Sequence, residues 1–302
     1  MNGNAAYRRL DEVANPVLIH VKSFVQTVLH SFSQVVFAKS LISGLFILVA
    51  VFIASPRAGI YSLLSTSTAF FFAPGKVNEG LYGFNAQLIG MAIAVFNPPS
   101  SNIHTYLFEP FVVVFLSLFS IVLCDSLSFT SKKPYLTIPF NVCVVMFFAG
   151  VYSYGHYAPP ESWNGHLPTS NTTTITTCLR SGSTCEDKEI ARDLAISLAH
   201  GVSQIFILEN VWSGLLILCG LLVYSPLLSL CCLVGSGIGT LYGVLFGCDG
   251  SIVWRGLYGY NSALTMMGII VFMGTKNWWK ALLGAWMSCV CFGAAGTIMG
   301  ML

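Results

Sequence analysis

Four long stretches of this chain carry no Asp, Glu, Lys or Arg: Gly80 to Phe108, Pro134 to Pro160, Asn210 to Cys248 and Ala281 to Leu302. Each is long enough to cross about 30 Å of hydrocarbon at least once. Backbone in lipid must satisfy its own hydrogen bonds, so these stretches are helices or parts of a closed barrel. Barrel strands alternate polar and apolar side chains, whereas Leu45 to Ala54 and Leu215 to Val223 are apolar on every face. Helices are therefore predicted. With 9% charged residues, against roughly 25% in a soluble domain, the chain cannot clothe an aqueous surface. The reading is an all-α polytopic membrane protein with lipid as a partner, and the 28 glycines suit close helix packing.

The remaining polar residues orient it. Net charge is +2, and no basic block points to nucleic acid. The N-terminal tail, residues 1–14, carries Arg8, Arg9, Asp11 and Glu12 and lacks the apolar core of a signal peptide. The positive-inside rule puts this tail in the cytoplasm. Seven of the ten cysteines lie in apolar runs and read as packing residues. Cys178 and Cys185 instead lie in the long polar stretch, beside the sequon Asn171-Thr172-Thr173. A glycosylation acceptor and two cysteines together predict an extracellular loop, residues 155–189, with Asn171 glycosylated and a candidate Cys178–Cys185 disulfide.

The chain also repeats itself. Ser33 to Pro56 and Ser203 to Pro226 share nine of 24 positions at an offset of 170, and His30 and His200 match at the same offset. Gly80 to Phe96 and Gly256 to Phe272 share ten of 17 at an offset of 176. Apolar composition alone does not reproduce Ser-Gln, Ser-Gly, Ser-Pro and Gly-Leu-Tyr-Gly in order twice. Two membrane repeats are predicted, residues 15–154 and 190–302. An extracellular connecting loop and a cytoplasmic N-terminus require an odd number of crossings in the first, so the second is inverted. Inverted pairs place the solute path at their interface. Leu136 to Asn141 opens a further helix in the first repeat, 40 residues after Phe96. The same spacing after Phe272 falls beyond Leu302, so the second repeat is expected to lack its last helix.

Two features suggest where the path runs. Ser33-Gln34 and Ser203-Gln204 each open a short piece that ends about ten residues on, at Ser43-Gly44 and Ser213-Gly214. A piece of that length fits a re-entrant half helix lining a cavity; the plainer reading is an ordinary N-cap. Phe84 and Leu88, and Tyr260 and Leu264, are each four apart and share a helix face. Brought together they form a slot with flat aromatic walls, with Asn85 and Asn261 holding backbone beside it. The plainer reading there is helix packing around a satisfied Asn.

Taken in order, these segments and Leu-Thr-Ile-Pro-Phe-Asn resemble the urea transporter family from about Phe32 onward. The resemblance implies a homotrimer in the plasma membrane, each protomer with its own pore between two inverted halves of five spanning helices and a half-length pore segment. It implies single-file urea passage between aromatic and aliphatic walls, past lines of oxygens. Position by position it implies Gln34, Val35 and Phe37 from the first pore segment, Gln204, Ile205 and Ile207 from the second, and walls from Phe84, Leu88, Tyr260 and Leu264. Thr137 supplies a hydroxyl at the constriction. Ile207 stands where a ring is expected, and Tyr260 adds a hydroxyl to what is often Phe.

The residues themselves favour passive, uncoupled flux down a gradient, and the resemblance implies that the solute is urea. Glu109, Asp125, Glu209 and Asp249 lie near the ends of apolar stretches, and coupled transporters need ionisable groups at depth. A channel for ammonia, water or a short amide is the first rival, although His30 and His200 look interfacial. An enzyme is disfavoured: His104, His156 and His166 have no ligand spacing, and no cofactor is implied. A truncated, non-conducting subunit is the third alternative.

Overall fold

A computed structural model of the chain describes residues 16–73, 80–97, 103–130, 135–153, 187–274 and 276–298. Regular structure among them is helical throughout. The first repeat contributes α1 (Pro16–Gln34), α2 (Leu41–Ala54), α3 (Pro56–Phe72), α4 (Gly83–Phe96), α5 (Ile103–Thr130) and α6 (Ile138–Ser153). The second contributes α7 (Asp187–Ser203), a 3-10 turn (Gln204–Phe206), α8 (Val211–Tyr224), α9 (Pro226–Leu245), the short α10 (Gly250–Trp254), α11 (Leu257–Met273) and α12 (Trp278–Ile298). The tail 1–14, Asn171, Cys178 and Cys185 lie outside the described residues.

The window Leu107–Thr130 of α5 and the whole of α9 are long and apolar enough to cross a membrane. At 1.5 Å per residue their 24 and 20 residues reach about 36 and 30 Å. The outer faces agree with a lipid setting. On α2, Ile42, Leu45, Val49 and Ile53 point out of the molecule, and on α8 so do Trp212, Leu215 and Val223, at an offset of 170. A row of exposed aliphatic and aromatic side chains this continuous is stable against lipid and not against water.

The duplicated sequence folds in duplicate locally. Ser40 caps α2 by accepting from the Ser43 N–H, and Asn210 caps α8 by accepting from the Ser213 N–H. Ser55 and Ser225 each end one helix and cap the next, with Pro56 and Pro226 in the first turn where no donor is needed. Residues 31–50 and 201–220 carry the same burial class position by position. From Pro56 to Gly80 is 24 residues and from Pro226 to Gly256 is 30, which explains the change of offset from 170 to 176. A longer α9 and the one-turn α10 take up the difference.

The repeats meet along α2 and α8. Ser43 Oγ donates to the Gly220 carbonyl at 2.7 Å, and Ser213 Oγ donates to the Ala50 carbonyl at 2.7 Å. The start of each helix thus touches the end of the other, so α2 and α8 run antiparallel. Two glycines permit the close packing behind them. A Cβ on Gly44 would fall on the Leu29 carbonyl oxygen, and one on Gly214 on the Ala199 carbonyl oxygen.

Candidate functional site

Sequence reasoning expected Ser-Gln to open a short helix in each repeat; the structure corrects this. Ser33 and Gln34 close α1, and the short helix α2 starts only at Leu41. Ser33 Oγ turns back to the His30 carbonyl at 3.2 Å, the local bonding that lets Ser end a helix as readily as begin one. The chain then doubles back: the Phe37 N–H donates to the Gln34 carbonyl and the Ala38 N–H to the Ser33 carbonyl, both at 3.0 Å. Phe37 takes a left-handed φ of 60°. In the second repeat Ser203 Oγ donates to the His200 carbonyl at 3.2 Å, the Ile207 N–H to Gln204 and the Leu208 N–H to Ser203. Ile207 has φ 57°. A β-branched residue fits that region worst of all, and such backbone persists only where the surroundings hold it. Ala38 and Leu208, one residue on, are buried.

The two turns lie in one apolar cluster with the residues proposed as slot walls. Val35, Ile205, Phe84 and Leu88 are buried within it, and Phe37, Ile207, Tyr260 and Leu264 pack against it half-buried. Phe37 reaches from the first repeat to the second, its ring edge-on to Phe272 at 5.6 Å and its tip over Gly268 of α11. Tyr260 stands edge-on to Phe292 of α12 at 6.2 Å. Gln34 and Gln204 are half-buried at the two helix ends. Gln34 Oε1 itself is buried and has no hydrogen-bond partner among the described residues.

Asn85 does hold backbone beside this cluster. Its Nδ2 donates to the Leu136 carbonyl and its Oδ1 accepts from the Phe140 N–H, both at 3.1 Å. It thereby pins the turn carrying Thr137, whose hydroxyl accepts from Asn141 Nδ2 at 3.4 Å. Asn261 behaves otherwise. Its amide donates to the Leu257 carbonyl of its own helix at 3.3 Å.

A charged network that sequence reasoning missed fixes the far end of α4. Arg57 donates to the Ala94 and Asn97 carbonyls and to Glu109 at 2.6 Å, while Tyr61 Oη and Asn97 Nδ2 also donate to Glu109, each at 2.6 Å. Two helices, α3 and α4, are thereby tied to one buried carboxylate of α5. The signal available was Glu109 at the edge of an apolar run, but its partners lie 12 to 52 residues away in sequence. Among the described residues the buried carboxylates are Glu109 and Asp193, each in an ion pair and neither in the apolar cluster. In the second repeat His200 Nδ1 lies 2.9 Å from the Trp254 carbonyl, and Arg255 pairs with Glu209 at 3.5 Å.

The family model described as Urea transporter matches residues 25–302. The chain is 30% identical to Urea transporter 1 of Mus musculus over 283 residues, covering 91% of this chain and 69% of that one. It is 30% identical to Urea transporter 1 of Capra hircus over 280 residues, covering 90% and 68%. Urea transporter 1 of Rattus norvegicus is 29% identical over 283 residues, covering 91% and 69%. The match takes in both repeats, both turns and the Gly-Leu-Tyr-Gly segments, and on that extent the chain belongs to the urea transporter family.

Proposed function

We propose that this chain is a passive urea channel of the plasma membrane, conducting down the concentration gradient through a slot between two inverted repeats. The observation that carries the reading is Gln34 Oε1, a buried amide oxygen without a partner among the described residues, beside an apolar, aromatic-walled cluster. A buried acceptor left unpaired costs about 1–3 kcal/mol. A donor-rich solute passing beside it removes that cost.

The slot is assigned to Gln34, Val35, Phe37, Phe84, Leu88 and Thr137 from the first repeat and Gln204, Ile205, Ile207, Tyr260 and Leu264 from the second. The turns after α1 and α7 take up the carbonyls of Ser33, Gln34, Ser203 and Gln204, so the side-chain oxygen of Gln34 is the acceptor offered to the solute. Urea is flat, neutral and rich in donors. Aromatic faces accept its planes, and fixed oxygens replace the water lost from its edges. An ion would shed its hydration without a compensating charge.

The inverted arrangement is supported by the antiparallel, reciprocal bonding of Ser43 with Gly220 and Ser213 with Ala50. Re-entrant pore segments are supported by the 74° bend between Ala191–Phe206 and Val211–Tyr224. We assign residues 1–14 to a cytoplasmic tail, 15–154 and 190–302 to the repeats, and 155–189 to an extracellular loop with Asn171 glycosylated and Cys178 bonded to Cys185. The functional unit is a homotrimer with one slot per protomer.

The test is stopped-flow urea permeability of proteoliposomes holding this chain, beside Gln34→Ala and Phe84→Ala. Loss of one hydrogen bond of about 1 kcal/mol slows urea about fivefold in Gln34→Ala, and Phe84→Ala lowers urea selectivity over water. Equal behaviour of all three removes the slot from the path.

A further inference from the structure

Three contacts set α3 and α4 antiparallel. A Cβ on Gly83 would lie 3.5 Å from Thr66, one on Gly90 would fall on the Tyr61 carbonyl and Ser65 Oγ, and Arg57 donates to the Ala94 carbonyl. Gly83, Gln87 and Gly90 share one face of α4, because steps of four and three return a helix to the same side. Gln87 therefore stands between the two glycine contacts, opposite Ser62, Ser65 and Thr66. All four side chains are fully buried. Their hydrogen bonds do not balance. Ser62 Oγ donates to the Gly59 carbonyl at 2.8 Å, and Ser65 Oγ and Thr66 Oγ1 donate to the Ser62 carbonyl at 2.9 and 2.7 Å. Each hydroxyl has a single proton, so these donors are spent on backbone while their oxygens can still accept. Gln87 Nε2 turns to the weak acceptor Met91 Sδ at 3.6 Å, and Gln87 Oε1 has no partner among the described residues.

The second repeat closes the same joint without these groups. Ser62, Ser65 and Gln87 correspond to Cys232, Gly235 and Ala263. A Cβ on Gly235 would fall 2.6 Å from the Ala263 Cα, so the backbones of α9 and α11 touch there. The first repeat thus places an amide and two hydroxyls where its copy places a thiol, a glycine and an alanine. We infer that the first repeat holds a structural water between α3 and α4, donating one hydrogen to Gln87 Oε1 and the other to a hydroxyl oxygen of Ser62 or Ser65. Buried waters answer polar groups of this kind, with about three hydrogen bonds each. Water is the ligand that fits, because it brings two donors in the smallest volume to a site short of donors and closed by two helices. An anion or an apolar occupant leaves Oε1 unpaired. The water replaces a direct side-chain bond between α3 and α4, and it is independent of any solute in the slot.

Two methionines make the test internal to one molecule. Met91 lies beside Gln87, its counterpart at the offset of 176 is Met267, and both are fully buried. A brief X-ray pulse splits bound water into hydroxyl radicals that oxidise the nearest methionine, and mass spectrometry reads the sulfoxide residue by residue. In the full chain, Met91 should be oxidised about fivefold faster than Met267, although neither is open to solvent. Gln87→Leu keeps the volume and removes the polar groups, which a buried site tolerates, and it should bring Met91 down to the rate of Met267. Equal rates in the wild-type chain overturn the inference, and that comparison decides alone should Gln87→Leu fail to fold. Fast oxidation of Met91 that survives Gln87→Leu also overturns it, because the radical source is then water elsewhere, such as in the slot.

Discussion

The hydroxyl of Ser43 in the first repeat donates to the backbone carbonyl of Gly220 in the second at 2.7 Å. Adding 170 to the donor and subtracting 170 from the acceptor gives Ser213 and Ala50, which are bonded at the same distance. Exchange of partners under a constant offset is the signature of two copies related by a local two-fold axis, as in an isologous interface. The inverted arrangement proposed above puts that axis between α2 and α8.

That relationship predicts matched stability effects. Ser43→Ala and Ser213→Ala each remove one interhelical bond, worth about 0.6–1 kcal/mol in a membrane bundle. The two bonds lie about 10 Å apart along the helices, far enough to act nearly independently. Unfolding in detergent should show equal losses and an additive double variant. Ser67→Ala, whose hydroxyl serves only the Leu63 carbonyl of its own turn, is the control and stays near wild type. A twofold disparity between the first two variants would break the proposed equivalence.

Gly44 and Gly214 support the same interface from behind. An added methyl meets backbone oxygen of α1 or α7 and cannot be moved aside by a rotamer change. Gly44→Ala and Gly214→Ala are each expected to destabilise by about 1–3 kcal/mol and to lower urea flux, because α1 and α7 end in the turns at Phe37 and Ile207. Thermal midpoints and flux, measured on the same preparations, check this. Retained flux in either variant would mean that these helix ends do not set the path.

Asn85 and Asn261 hold the same place in the two repeats and are predicted to differ sharply. Asn85 is fully buried and bridges α4 to two backbone groups around Thr137. Asn85→Ala strands both, for about 2 kcal/mol or more, and releases the Thr137 turn. Asn261 donates only within α11, so Asn261→Ala should change stability by less than about 0.5 kcal/mol. Chemical denaturation of the two variants side by side decides it, and equal losses would refute the assignment.

What the sequence disclosed follows from what repeats. The paired caps, the Ser-Pro joints and the glycine contacts recur because local chemistry recurs: Ser40 and Asn210 both offer an oxygen to an N–H three residues on. The helix ends at Ser33 and Ser203 were misread because Ser bonds backbone at either end of a helix. The turns at Phe37 and Ile207 left no trace, since a left-handed residue is ordinarily marked by Gly or Asn. The Arg57–Glu109 network was invisible for a different reason: it has no counterpart in the second repeat, where Leu227 and Cys231 replace Arg57 and Tyr61 at the offset of 170.

Glu109 is one of two buried carboxylates among the described residues on which a coupled mechanism could rest, and the structure gives it another task. Its carboxylate accepts from Arg57, Tyr61 and Asn97, and the same guanidinium caps the last carbonyls of α4. Phe84 lies at the opposite end of that helix, with Leu88 one turn further in. Breaking a buried pair leaves one charge uncompensated and costs about 3–5 kcal/mol, so Glu109→Gln should lower the unfolding midpoint markedly. Flux per folded protein should stay within about twofold of wild type, because Phe84 lies about 15 Å and Leu88 about 9 Å from Ala94 along α4. Urea flux should also be indifferent to an imposed pH gradient in both proteins, since a proton-coupled carrier needs an ionisable group exposed to the path. Flux that follows the pH gradient in wild type and ceases to do so in Glu109→Gln would make this carboxylate a coupling site rather than a brace.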